Sequence, residues 1–142
     1  MKNKISNLYN TDDKLAYNAL LELELITEHS NELYDFFDEL LDMLKNEKSF
    51  IRVRGFRLIC ALAKWDIDNK INNNIDIILN ELDDEKGTSI RQCLEKINLI
   101  LTYKADLKDK IESKLRNINL SKYKESMQIL IKKDIEKILS NI

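Results

Sequence analysis

Residues 40–63, LLDMLKNEKSFIRVRGFRLICALA, and residues 78–101, ILNELDDEKGTSIRQCLEKINLIL, share one pattern of apolar and charged positions. Each stretch has an apolar half, a short polar segment, and a second apolar half that opens with an aliphatic residue followed by arginine. These aliphatic–arginine pairs are Ile51–Arg52 and Ile90–Arg91, 39 residues apart. Apolar residues recur at helical spacing in both halves, so the pattern predicts a pair of helices that is duplicated along the chain.

The same period extends in both directions from this stretch. A shift of 38 residues superposes five apolar positions of one predicted helix on five of a later one, namely Leu33, Phe37, Leu40, Leu41 and Leu44 on Ile71, Ile75, Ile78, Leu79 and Leu82. A shift of 40 then carries Ile71, Ile75 and Ile78 onto Ile111, Leu115 and Ile118. A unit of ~40 residues cannot bury enough apolar surface alone, so we expect the units to stack and share a core.

At this period the chain resembles HEAT/armadillo-type repeats over roughly residues 11–120. The resemblance implies an all-α fold, an α-α superhelix of about three helix pairs plus a C-terminal capping helix, in one domain spanning 1–142. Gly55 matches the small residue at which the family's helices cross closely, whereas its counterpart Leu94 does not. Asp83 and Asp84 match the family's loop acid, but Asn46 and Glu47 replace it in the first copy, and the usual loop proline is missing.

Composition independently favours helices. The 142 residues contain no proline and two glycines, which leaves almost no turn chemistry for β-hairpins and excludes glycine-rich phosphate loops.

Periodicity predicts seven helices, at about 12–28, 31–45, 49–65, 68–82, 89–104, 106–117 and from 121 onward. The predicted N-terminal caps are Asn10 or Thr11, Ser30 or Asn31, Ser49, Thr88 or Ser89, and Ser121. The first helix is expected to bury Leu15, Ala19, Leu23 and Ile26. A closed up-and-down bundle is the alternative architecture.

Charge is unevenly distributed along the chain. Residues 1–47 carry 11 acids and 4 bases, whereas residues 48–142 carry 14 acids and 19 bases, within a net charge of −2. The acidic second predicted helix and the basic sixth helix occupy equivalent positions. The resemblance therefore implies a groove that is negative at one end and positive at the other. No apolar signal region or membrane span is recognisable, so we expect a cytoplasmic protein with no membrane partner.

No constellation for catalysis, a metal or a cofactor is recognisable. Cys60 and Cys93 stand in apolar runs and are expected to be buried. The single histidine, His29, is expected at a helix C-terminus, which argues against a hydrolase triad. The carboxylates of the second helix point outward as a solvated face does. The sequence thus predicts a protein without enzymatic activity.

The arginine and lysine residues of the third predicted helix are the most informative candidates for a binding site. Arg54, Arg57 and Lys64 share one side of that helix, so they predict either a phosphate- or carboxylate-binding patch or a solvated face. Arg52 and its counterpart Arg91 are expected to pair with loop acids such as Asp66, Asp83 or Asp84. Trp65 is expected either between repeats or as an exposed anchor for a partner. The candidate partner-binding residues are therefore Arg54, Arg57, Lys64, Trp65 and Arg91.

We therefore expect a protein–protein interaction or scaffold module that presents a charged groove to another protein. The alternative is nucleic-acid binding, because DNA alkylation-repair glycosylases have a similar helical-repeat architecture. Those proteins are longer and use a basic groove, whereas the net charge here is negative. The sequence identifies neither the partner nor the oligomeric state.

Overall fold

The computed structural model describes residues 1–142 and is all-α, with nine α-helices and no strand. The α-helices are α1 Lys2–Asn7, α2 Asp13–His29, α3 Phe37–Met43, α4 Ser49–Ala61, α5 Lys70–Asn73, α6 Ile75–Leu79, α7 Gly87–Tyr103, α8 Lys108–Arg116 and α9 Glu125–Ser140. Four 3₁₀ segments adjoin them, at Glu32–Phe36, Leu62–Trp65, Asn80–Asp83 and Ala105–Leu107. No helix combines the length and the apolar character that crossing a bilayer requires.

The predicted fourth helix is broken into three short pieces, α5, α6 and the 3₁₀ segment Asn80–Asp83. It begins after Asn69, whose φ of 56° is in the left-handed region, and it breaks at Asn74. The Asn74 side-chain amide donates to the Lys70 carbonyl at 2.8 Å. Asparagine side chains compete in this way with main-chain hydrogen bonding, so the asparagine-rich stretch interrupts the helix without proline.

One predicted N-terminal cap is replaced by a neighbouring residue, and two others are absent. Asp12, rather than Asn10 or Thr11, caps α2, because its carboxylate accepts from the N–H groups of Lys14 and Leu15 at 3.0 and 3.3 Å. The later helices α7 and α9 begin without a side-chain cap.

The predicted inward faces are largely confirmed. Leu33 and Ile71, which the 38-residue shift superposes, are both fully buried, and one cluster of 35 buried apolar residues extends from Ile5 to Ile138. The burial predicted for Leu15 is wrong, since its side chain is 52% exposed. Ala19 and Leu23 are buried as predicted. The core-facing side of α2 also includes Ala16 and Leu20, because the helix is rotated relative to the predicted stripe.

The helices pack mainly on neighbours that follow closely in the chain. Contacts join α2 to α4, α4 to α7, and α7 to α9, while α3 packs on α4 and α8 packs on α9. The helix α4 lies at the centre, with every residue from Val53 to Cys60 buried. Gly55 sits at the α3–α4 crossing. A Cβ there would lie 2.8 Å from the Met43 Cβ and 2.9 Å from the Leu40 carbonyl oxygen, which confirms the close approach predicted for this glycine.

Candidate interaction surface

The predicted site residue Arg57 belongs to α4, and its side chain lies between α2 and α7. Its guanidinium donates to both carboxylate oxygens of Glu24, at 2.8 and 3.1 Å, and to the Gln92 side-chain oxygen at 3.2 Å. Lys96 approaches the same carboxylate at 3.7 Å. Arg57 is only 5% exposed. A bidentate pair with this little water contact ties three helices together.

Arg54 anchors the N-terminal segment in a similar way. Its guanidinium donates to the Leu8 carbonyl at 2.9 Å and to the Asp13 carboxylate at 3.5 Å, and it lies 4.9 Å from the centre of the Phe50 ring. Burial lowers the pKa of this guanidinium. Arg54 and Arg57 do lie on one side of α4, as predicted, but this side faces other segments of the protein. Neither guanidinium is open to a partner in this structure.

Lys64 and Trp65 bind the end of α2. The Lys64 ammonium donates to the Glu28 carbonyl and the Trp65 indole N–H donates to the Thr27 carbonyl, each at 2.7 Å. Carbonyl groups in the last turn of a helix lack partners within the helix, so these two side chains satisfy groups that would otherwise need water. Lys64 is exposed, and Trp65 is half-buried.

The two arginines that mark the repeat are both paired. Arg52 donates to the Asp84 carboxylate at 2.7 Å, which confirms the predicted link to a loop acid. The corresponding prediction for Arg91 is wrong, since Arg91 pairs with Asp134 of α9 at 2.7 Å and its side chain is half-exposed. The reason is that α9 packs directly on α7 at this point.

A buried polar network that sequence reasoning did not assign surrounds Asp84, whose side chain has no exposure. The hydroxyl of Ser49 lies 3.1 Å from both Asp84 oxygens and 2.6 Å from the hydroxyl of Ser89. The Lys86 N–H also donates to this carboxylate, at 2.8 Å. The signal was present in the sequence, because a serine stands just before the aliphatic–arginine pair in both copies: Ser49 two residues before Ile51 and Ser89 one residue before Ile90.

Glu81 completes this network and accepts from the Arg52 guanidinium at 3.3 Å. Burial, followed by a hydrogen bond with Asp84, raises the pKa of Glu81 to about 8 against the opposing effect of Arg52. Burial also opposes ionisation of Asp84. Hydrogen bonds from Glu81, the Lys86 N–H and Arg52 nevertheless outweigh it and hold the pKa of Asp84 below its ordinary value. The two neighbouring carboxyl groups are therefore pushed in opposite directions, with Glu81 harder to ionise and Asp84 easier to ionise than in water.

A second buried carboxylate, Asp66, fixes the turn after α4. It accepts from the Tyr34 hydroxyl at 2.6 Å and from the N–H groups of Lys70 and Ile71 at 2.9 Å each. Lys104 lies 3.0 Å away. Burial, with the Asp66 hydrogen bond next, raises the pKa of Tyr34 to about 12. These contacts connect the turns of successive helix pairs. The charges of Asp66 and Lys104 are therefore paired within the protein.

A set of exposed charges lies on the side formed by α3, α5–α6 and α8, which we name the α3–α8 surface. Two ion pairs show that its helices lie side by side, since Lys70 is 3.6 Å from Asp38 and Lys110 is 3.6 Å from Asp76. The exposed charged side chains include four acids at the α3 end, namely Asp35, Asp38, Glu39 and Asp42. At the α8 end they include three bases, Lys108, Lys110 and Arg116, and two acids, Asp106 and Asp109. The surface is thus strongly acidic at one end and weakly basic at the other.

Other reactive side chains do not converge. Cys60 and Cys93 are buried and free, as predicted, and burial raises the pKa of both thiols. His29 is the last residue of α2 and is exposed, also as predicted. No group of three or more His, Cys, Asp or Glu side chains is arranged to hold a metal ion. Compared with protein-family models, with curated proteins and with solved structures, the chain matches none.

Proposed function

We propose that this chain is a small HEAT-like stack of helix pairs that functions as a non-enzymatic protein-interaction module. In this proposal α2, α4, α7 and α9 are the first helices of successive pairs, and α3, α5–α6 and α8 are the second helices. The observation that carries the proposal is the packing of the first helices in chain order. Contacts that run mainly between neighbouring units are typical of a stack.

The polar contacts support the same arrangement. Side-chain hydrogen bonds between distant parts of the chain join residues from 18 to 46 positions apart, as in Lys4–Glu22 and Arg54–Leu8. Most of them therefore span about one unit. One longer ion pair, Glu24–Lys96, bridges units that are not adjacent. A bundle around one central axis would instead place the ends of the chain in mutual contact.

The α3–α8 surface is the part of the protein that we assign to partner binding. The buried arginines are satisfied internally, whereas Asp35 and Glu39 on one end and Lys108 on the other are exposed and have no ion-pair partner in the chain. Complementary charge accelerates association and selects among partners. The partner that fits is a protein with a basic segment facing α3 and an acidic segment facing α8.

Site-specific photo-crosslinking in the cells that produce the protein tests this assignment. A crosslinking residue replaces Asp35 on the α3–α8 surface. In the control it replaces Glu95, an exposed acid on α7. We expect a discrete protein adduct from position 35 and none from position 95. Equal labelling from both positions, or none from either, would contradict the assignment.

The affinity of the purified adduct partner then tests the charge. Glu39→Lys should weaken binding about tenfold and reduce its salt dependence, while Glu95→Lys, which changes the charge by the same amount, should leave the affinity within twofold. If the two variants bind equally well, the α3–α8 surface is not the binding surface.

Nucleic-acid binding remains the second proposal, and the placement of the arginines weighs against it. Two of the cations that would meet phosphate, Arg54 and Arg57, are paired within the protein. Titration with duplex DNA at 20 mM and 200 mM salt separates the proposals. Phosphate contacts would give an affinity that falls steeply with salt, and no binding at 20 mM would exclude them.

A further inference from the structure

Residues 80–86 connect α6 to α7, and we name them the central turn. The Arg52 side chain of α4 ties the central turn to the turn that precedes α4. One of its terminal nitrogens donates to two carbonyl groups of that earlier turn, each at 2.9 Å. The other donates to Asp84 at 2.7 Å, and Nε donates to Glu81 at 3.3 Å. All three nitrogens of this guanidinium are therefore engaged in holding two turns together.

The central turn is also tied to the turn that follows α8. The Tyr123 hydroxyl donates to the Asp84 carbonyl, and the Lys122 ammonium donates to the Asp83 carbonyl. Lys114 of α8 forms an ion pair with the Asp83 carboxylate. Three turns of the chain therefore converge at one point, and polar contacts join them there.

The buried charge of this junction consists of two carboxyl groups and one guanidinium. The Asp84 side chain has no exposure, and the Glu81 side chain is 6% exposed. Arg52 is the one cation that pairs with either of them. When Glu81 carries a proton, Asp84 and Arg52 balance each other. When Glu81 is ionised, one negative charge is left without a partner and away from water, which is costly.

The other titratable groups around Glu81 do not supply a second cation. The small cavity of about 350 Å³ beside it is bordered by three further acids, namely Glu47, Asp83 and Glu85. On α7, burial raises the pKa of the Cys93 thiol and keeps it uncharged. On α6, Asp76 is exposed and pairs with a lysine of α8. Lys86 is exposed, and it contacts the network through its main-chain N–H.

We infer that the central turn is a latch whose local opening releases the Glu81 proton, so that rising pH favours the open form. In the closed form the carboxyl group is shielded from water and keeps its proton. In the open form water solvates the carboxylate, and the turn after α8 separates from the central turn. The inference rests on the contacts of this junction and is independent of the partner-binding proposal.

The direction of the pH effect follows from linkage. Burial, followed by the hydrogen bond with Asp84, raises the pKa of Glu81 from 4.5 to about 8 in the closed form. Between these two values the closed form binds one proton more than the open form, so the opening constant rises about tenfold per pH unit. Above about pH 8 both forms are ionised, and the opening constant becomes constant.

Native-state hydrogen exchange measured by NMR tests the latch. The amides of Lys86 and Tyr123 report on the junction, and the amide of Ile59 in the centre of α4 reports on global unfolding. After correction for the intrinsic rates, the junction amides should exchange at least tenfold faster than Ile59. Their exchange should rise about tenfold per pH unit between pH 5.5 and 7.5. Urea below the unfolding transition should accelerate exchange at Ile59 but not at the junction.

Three variants identify the group that titrates. In Glu81→Gln the uncharged amide can still accept from Arg52 and donate to Asp84, so junction exchange should vary less than twofold over this pH range. Tyr123→Phe removes one contact and no carboxyl group, so it should accelerate exchange at Lys86 equally at every pH. Glu95→Gln removes an exposed carboxylate of α7 and should behave like the wild type.

Several results would overturn the inference. Junction amides that match Ile59 in rate and in urea dependence would show that the junction opens only when the whole protein unfolds. Wild-type exchange that does not change with pH after correction would show that no proton is released. A pH dependence that persists in Glu81→Gln would assign the proton to another group. The first two of these results need no variant, so the latch is tested even by the wild-type protein alone.

Discussion

Replacement of Gly55 by alanine tests the packing at the centre of the fold. The added methyl group would lie 2.8 Å from the Met43 Cβ and 2.9 Å from the Leu40 carbonyl oxygen. Ordinary contacts of this type are 3.4 Å or longer. One of the two atoms is main-chain and the other is bound directly to the main chain. A change of rotamer therefore cannot relieve the overlap, and α3 has to move away from α4.

Two opposing effects determine how much Gly55→Ala changes the free energy of unfolding. Alanine in place of glycine within a helix favours folding by about 1 kcal/mol. Overpacking of a rigid core costs about 1–3 kcal/mol, and the upper part of this range applies because the main chain itself must shift. We therefore expect Gly55→Ala to lower the free energy of unfolding by about 1–2 kcal/mol, which lowers Tm by roughly 3–8 °C for a chain of this size.

Urea unfolding followed by circular dichroism measures this change, and Gly87→Ala is the matched control. A Cβ on Gly87 would meet the side chain of Met127, whose flexible thioether can rotate away, so we expect a change within about 1 kcal/mol. A Gly55→Ala variant as stable as the wild type, or more stable, would show that α3 and α4 do not cross as closely as the structure indicates.

Three further outcomes follow from the buried polar groups. Arg57→Ala should lower the free energy of unfolding by about 3 kcal/mol, because Glu24 then stays half-buried without its main partner; in urea titrations a loss below about 1 kcal/mol would count against this role. The pKa of Glu81 is raised from 4.5 to about 8 in the folded state, so its contribution to stability is complete below about pH 4.5 and is lost as pH rises through about 8. Unfolding midpoints at pH 5, 7 and 9 should fall in the wild type and fall less in Glu81→Gln. Cys60 and Cys93 should react with Ellman's reagent only in urea, because burial excludes the reagent and raises both thiol pKa values; rapid reaction of the native protein would refute this.

Sequence reasoning reached the helical fold class and most of the buried positions because both depend on local information. The spacing of apolar residues reports which side of a helix is buried, and it placed Leu33, Ile71 and Ile111 in the core correctly. It erred where local hydrogen bonding competed with the helix, as at Asn74, and where the rotation of α2 in the fold left Leu15 at the surface.

The candidate site depended more strongly on tertiary structure. Spacing along α4 placed Arg54 and Arg57 on one side but could not report what covers that side. In the fold they meet Leu8 and Glu24, which are 46 and 33 residues away. Whether a charged side chain is exposed or ion-paired depends on residues that are distant in the sequence and close in the fold. The repeat period in the sequence does not encode those contacts.

The amino-acid sequence by itself therefore determined that this chain is helical, where its longer helices lie, and that its charge divides into an acidic first third and a basic remainder. Tertiary structure alone decided which charges remain at the surface, because burial and ion pairing arise only when distant segments meet. It also left Tyr17, Leu21 and Leu25 uncovered. Periodicity marks residues that are able to pack, and the three-dimensional arrangement determines which of them find a neighbour.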